Sequence, residues 1–558
     1  MTTSPRSDMI RSLTAGVDVL VIGGGITGAG VALDAASRGY RVGLVERADY
    51  ACGTSSRSTK LIHGGIRYLP QGHVGLVRDA LRERTLLLRL APHVARPLAF
   101  VVPLYASTRH PLGLRLPRIV RPFTPLGVRI GLLAYDLFAR DPALRHRVVT
   151  RETLAREAPE LRTDGLRTAF VYYDARTDDV RLTHSVLTTA RAHGAVTLNY
   201  ATVTGLMTAG DRVTGARVED GLGGGRFEVP ARFVVNATGI WAEDVAAMGG
   251  PPAFHIRHSK GVHLVLRPGA LHGSMAIVIP ETDDGRLAFI VPWADRWVLG
   301  TTDDAYTGDL DAATATPADV AYLLDHANRY LTRPLRASDI AGTYAGVRPL
   351  VAAAAGSTAA LSRDHHLSIA PGGLVTITGG KLTTYRKMAE DTVDAIVARD
   401  GGRDGGGRPG RTATIRLAGS DGIAAAEAAL GAAPLAADQR AYLLQTYGGA
   451  AADIAALIAA DPALAGRLVD GAPVTAAEVV YACRAEQAVA LVDGLYLRTK
   501  LAVLDAQAAD RAADAVNTLM GRCLGWDRGE MTRQRARYDA VRARETAVAA
   551  GGPTGIVA

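Results

Sequence analysis

Apolar positions in the first fifty residues change period from a continuous run to a helical one and back. Residues 17–22, VDVLVI, form the unbroken hydrophobic stretch that a strand buried on both faces requires, and from Ile26 the apolar residues recur at helical spacing. A second short apolar run closes on Glu46, so residues 17–46 are expected to fold as strand, loop, helix and strand. Two later runs have the same buried-strand character. RFVVNATG ends in Ala237, Thr238 and Gly239, and GLVTITGG ends in Gly379 and Gly380 before the helical pattern KLTTYRKMAEDTVDAIV. Shorter strand-like runs, VHLVL, LAFIVPW and RWVLGTT, are scattered between them.

This pattern predicts an α/β fold with a discontinuous Rossmann-type nucleotide-binding domain (17–90, 165–250 and 342–400). An interleaved α+β substrate or membrane-facing domain is expected over 91–164 and 251–341. Residues 401–411, GGRDGGGRPGR, read as a linker, and Ala-rich helical periodicity predicts a C-terminal helical domain over 412–548. A chain of 558 residues exceeds one ordinary core, in keeping with several domains.

Composition narrows the functional classes. Hydrophobic residues make up 48% and charged residues 21%, as in a folded globular protein. The net charge of +8 is compatible with an anionic ligand or an anionic lipid surface, whereas aromatics at 5% and dispersed arginines argue against nucleic acid. Three cysteines without metal-ligand spacing point to a reducing compartment and to no metal site. No uninterrupted apolar run reaches the ~20 residues of a membrane span, and the N-terminus has no secretory core, so a cytoplasmic location is expected.

The loop after the first strand carries Gly23, Gly25 and Gly28 in GxGxxG spacing, followed by Ile26 and Thr27 at the helix start. Such a loop turns tightly, brings backbone against a pyrophosphate and aims a helix N-terminus at it. Glu46 stands where an acidic side chain meets ribose hydroxyls, which disfavours a 2′-phosphorylated cofactor. The distant ATG strand end and the late TGGK return, with Leu382 and Thr383 following Lys381, favour the longer cofactor FAD over NAD.

These residues, with TSSRSTKLIHGGIRYL, SKGVHLVL, VLGTTD, YAGVRPL, LSRDHHL and TGGKLTTYRKMAE, resemble the FAD-dependent glycerol-3-phosphate dehydrogenases, within the D-amino-acid-oxidase-like flavoproteins. The matching runs cover most of residues 17–395. The resemblance implies FAD-dependent oxidation of sn-glycerol 3-phosphate to dihydroxyacetone phosphate, with a membrane quinone taking the electrons. It also implies a peripheral position on the inner face of the cell membrane and leaves a homodimer open. An oxygen-using glycerol-3-phosphate oxidase and an amine oxidase of the same superfamily are the alternatives.

On that resemblance Arg67 and Tyr68 bind the substrate phosphate, Arg363 adds a second phosphate contact, and Arg348 meets the C2 oxygen. Lys381 serves substrate or flavin, Lys260 and Thr302 line the site, and Ser55 and Ser56 touch the flavin. His63 and His263 are both candidates for the base, and the sequence does not choose between them. Arg57 and Lys60 are read as structural. The basic and apolar segment 109–140 is expected to lie on an anionic membrane surface.

Overall fold

The computed structural model describes residues 5–69, 71–108, 123–353, 365–401 and 409–546. Strand Val17–Ile22 lies inside a sheet ordered His365–Ile369, Val375–Gly379, Arg226–Asn236, Val17–Ile22, Val42–Val45, Val196–Leu198. Neighbours along this order are parallel except the first pair. Val19, Leu20 and Val21 are fully buried, which explains the continuous apolar run. Each such side chain contributes about 1.5–3 kcal/mol of burial. Helix Ile26–Ser37 packs against Asp179–Ala192 and Tyr385–Asp400 over this sheet.

The second sheet has ten strands. Ala95–Tyr105 pairs antiparallel with Leu166–Thr177, and Phe254–Leu266 with Ile340–Ala353. This sheet corrects the expected domain boundaries. Leu61–Ile62, Leu166–Thr177 and Ile340–Ala353 belong to it, although the sequence put most of their residues with the nucleotide-binding sheet. The reason is long-range pairing, from Ala95↔Thr177 to Tyr105↔Leu166, which no local periodicity records.

Beyond residue 409 the described elements are predominantly helical, from Ile423–Ala432 to Arg528–Thr546. Buried Arg498 ties this part to the loop after strand Val42–Val45, donating to Asp49 at 2.6 and 3.0 Å, and braces its own part through the Glu486 carbonyl at 2.9 Å. Residues Ala437–Ala460 are long and apolar enough to cross a bilayer. A 3-10 turn at Gly448–Ala450 interrupts them, and Leu443, Ile454 and Ile458 pack in the helical core.

Helix Thr124–Ala139 has two different apolar faces. Leu132, Tyr135 and Ala139 are buried beneath it, while Leu126, Ile130, Leu133 and Leu137, with Phe123 just before the helix, are 54–72% exposed. The exposed residues recur every three or four positions, so they form one outward stripe.

Candidate active site

A cavity of about 540 Å³ opens between the two sheets. At the nucleotide-binding end the strand Val17–Ile22 delivers Gly23, Gly25, Ile26 and Thr27 to its wall. This end follows the rule that open α/β sheets bind ligands beyond the carboxyl ends of their strands. Gly23 has φ +109°, and a Cβ there would stand 2.7 Å from the Ala237 carbonyl oxygen. A side chain on Gly28 would collide with the Gly23 carbonyl, so this glycine serves helix–strand packing and lies outside the cavity wall. The turn is a cradle shaped for close backbone approach, which fits FAD.

Glu46 lines the same wall. Its carboxylate accepts from Gly24 N at 2.6 Å and from Ala48 N at 3.0 Å, and burial raises its pKa. It therefore also fixes the glycine turn. Ser55 Oγ accepts from Ile26 N at 2.9 Å, satisfying a first-turn amide of the helix. Ala237, Thr238 and Gly239 reach the cavity from strand Arg226–Asn236, and Gly379, Gly380, Leu382 and Thr383 from the turn ahead of helix Tyr385–Asp400. Gly379 and Gly380 hold φ of +75° and +69°. The start of that helix brings its partial positive charge toward the wall.

The other end is cationic. Arg67 donates to the Tyr68 hydroxyl at 2.7 Å and lies 4.8 Å from that ring's centroid, and Lys381 Nζ lies 4.1 Å from the same centroid. Arg348 donates to Thr301 Oγ1 at 2.8 Å, to Asp303 Oδ1 at 3.1 Å and to the Thr302 carbonyl at 3.2 Å. Gly261 on the neighbouring strand makes room for it, since a Cβ there would run into the guanidinium. His63 lines this wall as well, and its backbone N–H donates to Thr383 Oγ1 at 3.0 Å.

Four expected site residues face elsewhere. His263 is buried behind Thr59, with Nε2 2.9 Å from its Oγ1, and stacks on Tyr344 at 4.7 Å. Burial first, then the charges of Arg348 and Lys60, lower its pKa well below the usual value. Lys260 turns to Asp319, 2.7 Å away. The Thr302 hydroxyl accepts from Val262 N at 3.0 Å. Ser56 Oγ donates to the Gly53 carbonyl at 3.2 Å, and its own carbonyl accepts from Lys60. Arg363 lies outside the described residues. Lys60 is buried against Asp179 at 2.8 Å, whereas Arg57 lines the cavity.

The sequence reading missed Thr301 and Asp303, which flank Thr302 in GTTDD and line the wall. The polar run GTTDD was the available signal, and which of its side chains face the cavity is set by the bonds of Thr301 and Asp303 to Arg348, formed across the fold. It also missed Arg286, Trp241, Tyr172 and Asp174.

A family model described as FAD dependent oxidoreductase matches residues 18–386, and one described as the C-terminal domain of alpha-glycerophosphate oxidase matches 410–531. The chain is 38% identical over 530 residues to glycerol-3-phosphate dehydrogenase 2 of Mycobacterium tuberculosis (strain ATCC 25618 / H37Rv), covering 93% of this chain and 87% of that one. It is 37% identical over 538 residues to the mitochondrial glycerol-3-phosphate dehydrogenase of Homo sapiens, covering 92% and 71%. Its fold is similar to the structure of glycerol-3-phosphate dehydrogenase from Bacillus halodurans complexed with FAD. That match has a TM-score of 0.77 and 29% identity, with 99% of each chain covered. With a dinucleotide cradle at one end of its cavity and fixed cations at the other, the chain belongs to the FAD-dependent glycerol-3-phosphate dehydrogenase family.

Proposed function

We propose that this protein oxidises sn-glycerol 3-phosphate at C2 to dihydroxyacetone phosphate and delivers the electrons to a quinone in the membrane. The observation that carries the reading is one cavity holding a dinucleotide cradle together with Arg67, Lys381 and Arg348. The relatives named glycerol-3-phosphate dehydrogenase, one of them solved with FAD, support it. FAD, when bound, supplies the hydride acceptor.

Arg67 and Lys381 bind the phosphate, the guanidinium through its planar fork and the ammonium as a point charge. Tyr68 holds both cations beside its ring. Arg363 adds a phosphate contact on the strength of the resemblance alone. Arg348, oriented by Thr301, Thr302 and Asp303, faces the C2 oxygen and stabilises negative charge there as the C2 hydrogen departs. His63 accepts the hydroxyl proton. It is the one of the two candidate histidines that lines the cavity.

The exposed stripe on Thr124–Ala139 supports peripheral contact with an anionic lipid surface on the cytoplasmic face. Phe123, Leu126, Ile130, Leu133 and Leu137 enter the acyl boundary, and Arg129 and Arg140, both exposed, meet headgroup phosphates.

Anaerobic mixing of holoenzyme with glycerol 3-phosphate tests the reaction. Loss of flavin absorbance is expected, and an unchanged spectrum overturns it. Fast peroxide formation without quinone-dependent turnover would assign the oxygen-using alternative. Turnover of amino acids that survives Arg67→Ala would assign the amine oxidase.

A further inference from the structure

Building on the substrate reading above, we propose that Tyr135 and Asp174 are positioning residues for the loop that presents His63 and Arg67. The loop runs from strand Leu61–Ile62 to the 3-10 turn Ile66–Tyr68, and its centre is Gly64. The Gly64 N–H is shared between the Tyr135 hydroxyl oxygen at 3.0 Å and Asp174 Oδ1 at 3.1 Å. Tyr135 in turn donates its own proton to that carboxylate, 2.7 Å from Oδ1 and 2.9 Å from Oδ2. Arg84 completes the cluster, donating to Asp174 Oδ1 at 2.9 Å and to the Tyr173 carbonyl at 2.5 Å.

Three separate elements converge on this one amide. Tyr135 comes from helix Thr124–Ala139, Asp174 from strand Leu166–Thr177 and Arg84 from helix Val74–Leu90, and all three side chains are buried. A backbone N–H needs a single acceptor. Gathering a phenol, a carboxylate and a guanidinium around it takes three polar groups out of water, a cost that chain folding alone does not demand. What the arrangement provides is a fixed peptide plane. His63 and Gly65, on either side of Gly64, both line the cavity, so rotation of that plane would swing the histidine and the Arg67 turn together. Glycine is required at the centre, because a Cβ would collide with the Tyr135 hydroxyl and the Leu81 side chain.

Asp174 also reaches the cavity wall, which would make it a rival proton acceptor. Donor counting argues otherwise. Oδ1 already receives Arg84, Gly64 and Tyr135, and Oδ2 shares the Tyr135 proton. The phenyl face of Tyr135 is held edge-on to Tyr172 at 5.8 Å, and Tyr172 stacks on Phe100 at 5.2 Å. These ring contacts hold Tyr135 in place while its hydroxyl meets the Gly64 amide.

The test compares wild-type, Tyr135→Phe and Asp174→Asn holoenzymes by hydrogen exchange and by anaerobic flavin reduction with glycerol 3-phosphate. Expected in Tyr135→Phe is faster exchange in peptides spanning residues 61–69, reduction slowed about tenfold, and FAD content and melting temperature held near wild type. In a His63→Ala, Arg67→Ala background the same substitution should slow reduction less than twofold, since the loop has then lost both groups it positions. Wild-type exchange in both variants, or an undiminished tenfold effect in that background, overturns the proposal. Loss of FAD or early melting in both variants would make the pair a folding device and overturn it too. Failure of glycerol 3-phosphate to bleach the wild type overturns the substrate reading and this inference together. Bleaching of the wild type with an unaltered Tyr135→Phe rate overturns the inference alone.

Discussion

Arg348 and Asp303 meet at the cavity wall, with Nη1 3.1 Å from Oδ1, and the guanidinium is held at its other nitrogen by Thr301 Oγ1 at 2.8 Å. A cation fixed on two sides needs no reorganisation when charge develops beside it, and that is where electrostatic stabilisation is strongest. Arg348→Ala is expected to slow anaerobic flavin reduction by ~10²–10³-fold, the range seen for removing one such donor, while FAD content per chain stays unchanged. Stopped-flow absorbance on the purified variant checks this, and equal rates would remove Arg348 from the chemistry.

Arg67 stands at the cationic end of the cavity, its Nη2 2.7 Å from the Tyr68 hydroxyl. Losing a charge-assisted bond to the phosphate costs roughly 1.5–3 kcal/mol, so Arg67→Ala should raise KM for glycerol 3-phosphate by about 10- to 100-fold. Glycerol, which has no phosphate, supplies the control. Its slow turnover should be the same in both enzymes, and a parallel loss on glycerol would place Arg67 in folding or cofactor binding.

What the sequence made legible was local. The GxGxxG turn could be read because a strand, a helix and three glycines at fixed offsets leave a recognisable period, and Gly23 and Gly28 are conformationally and sterically constrained as that motif requires. The motif residues Arg67, Lys381 and Arg348 also come together in one cavity. What stayed illegible depended on direction and on distance along the chain. His263 and His63 sit in equally suggestive motifs, but only the strand geometry turns the first onto Tyr344 and the second into the cavity. Lys260, expected to line the site, is instead paired with Asp319, which the fold brings to it from 59 residues away. The Asp174–Tyr135–Gly64 cluster joins three parts of the chain up to 110 residues apart, with no common motif.

The outward stripe of helix Thr124–Ala139 gives a test of lipid contact that leaves the cavity untouched. Ile130 and Leu133 are both more than half exposed, so replacing them with glutamate should cost little stability while adding charge the lipid repels. The Ile130→Glu, Leu133→Glu double variant is expected to sediment at least tenfold less with vesicles containing anionic lipid. Turnover with a soluble dye acceptor should match wild type. Undiminished vesicle binding would move the membrane surface to another face.

Acid stability follows from a buried imidazole remote from the chemistry. His93 is packed against Gly419 and Gly448, its Nε2 3.2 Å from Ser185 Oγ, and burial, then the charges of Arg181, Arg96 and Arg416, lower its pKa from 6.5 to about 4. A histidine lowered in the folded state stays neutral there while the unfolded chain takes up a proton, so its contribution is complete above pH 6.5 and is lost as the pH falls toward 4. At about 1.4 kcal/mol per pH unit that loss reaches roughly 3 kcal/mol at the bottom of the window. His93→Gln keeps a polar group near Ser185 but cannot titrate. Its unfolding free energy, measured by denaturant titration at a series of pH values, should therefore fall less steeply than that of wild type between pH 6.5 and 4. Any packing cost of the substitution would displace the whole curve and leave this difference in slope intact. Parallel curves would show that His93 takes no part in acid unfolding.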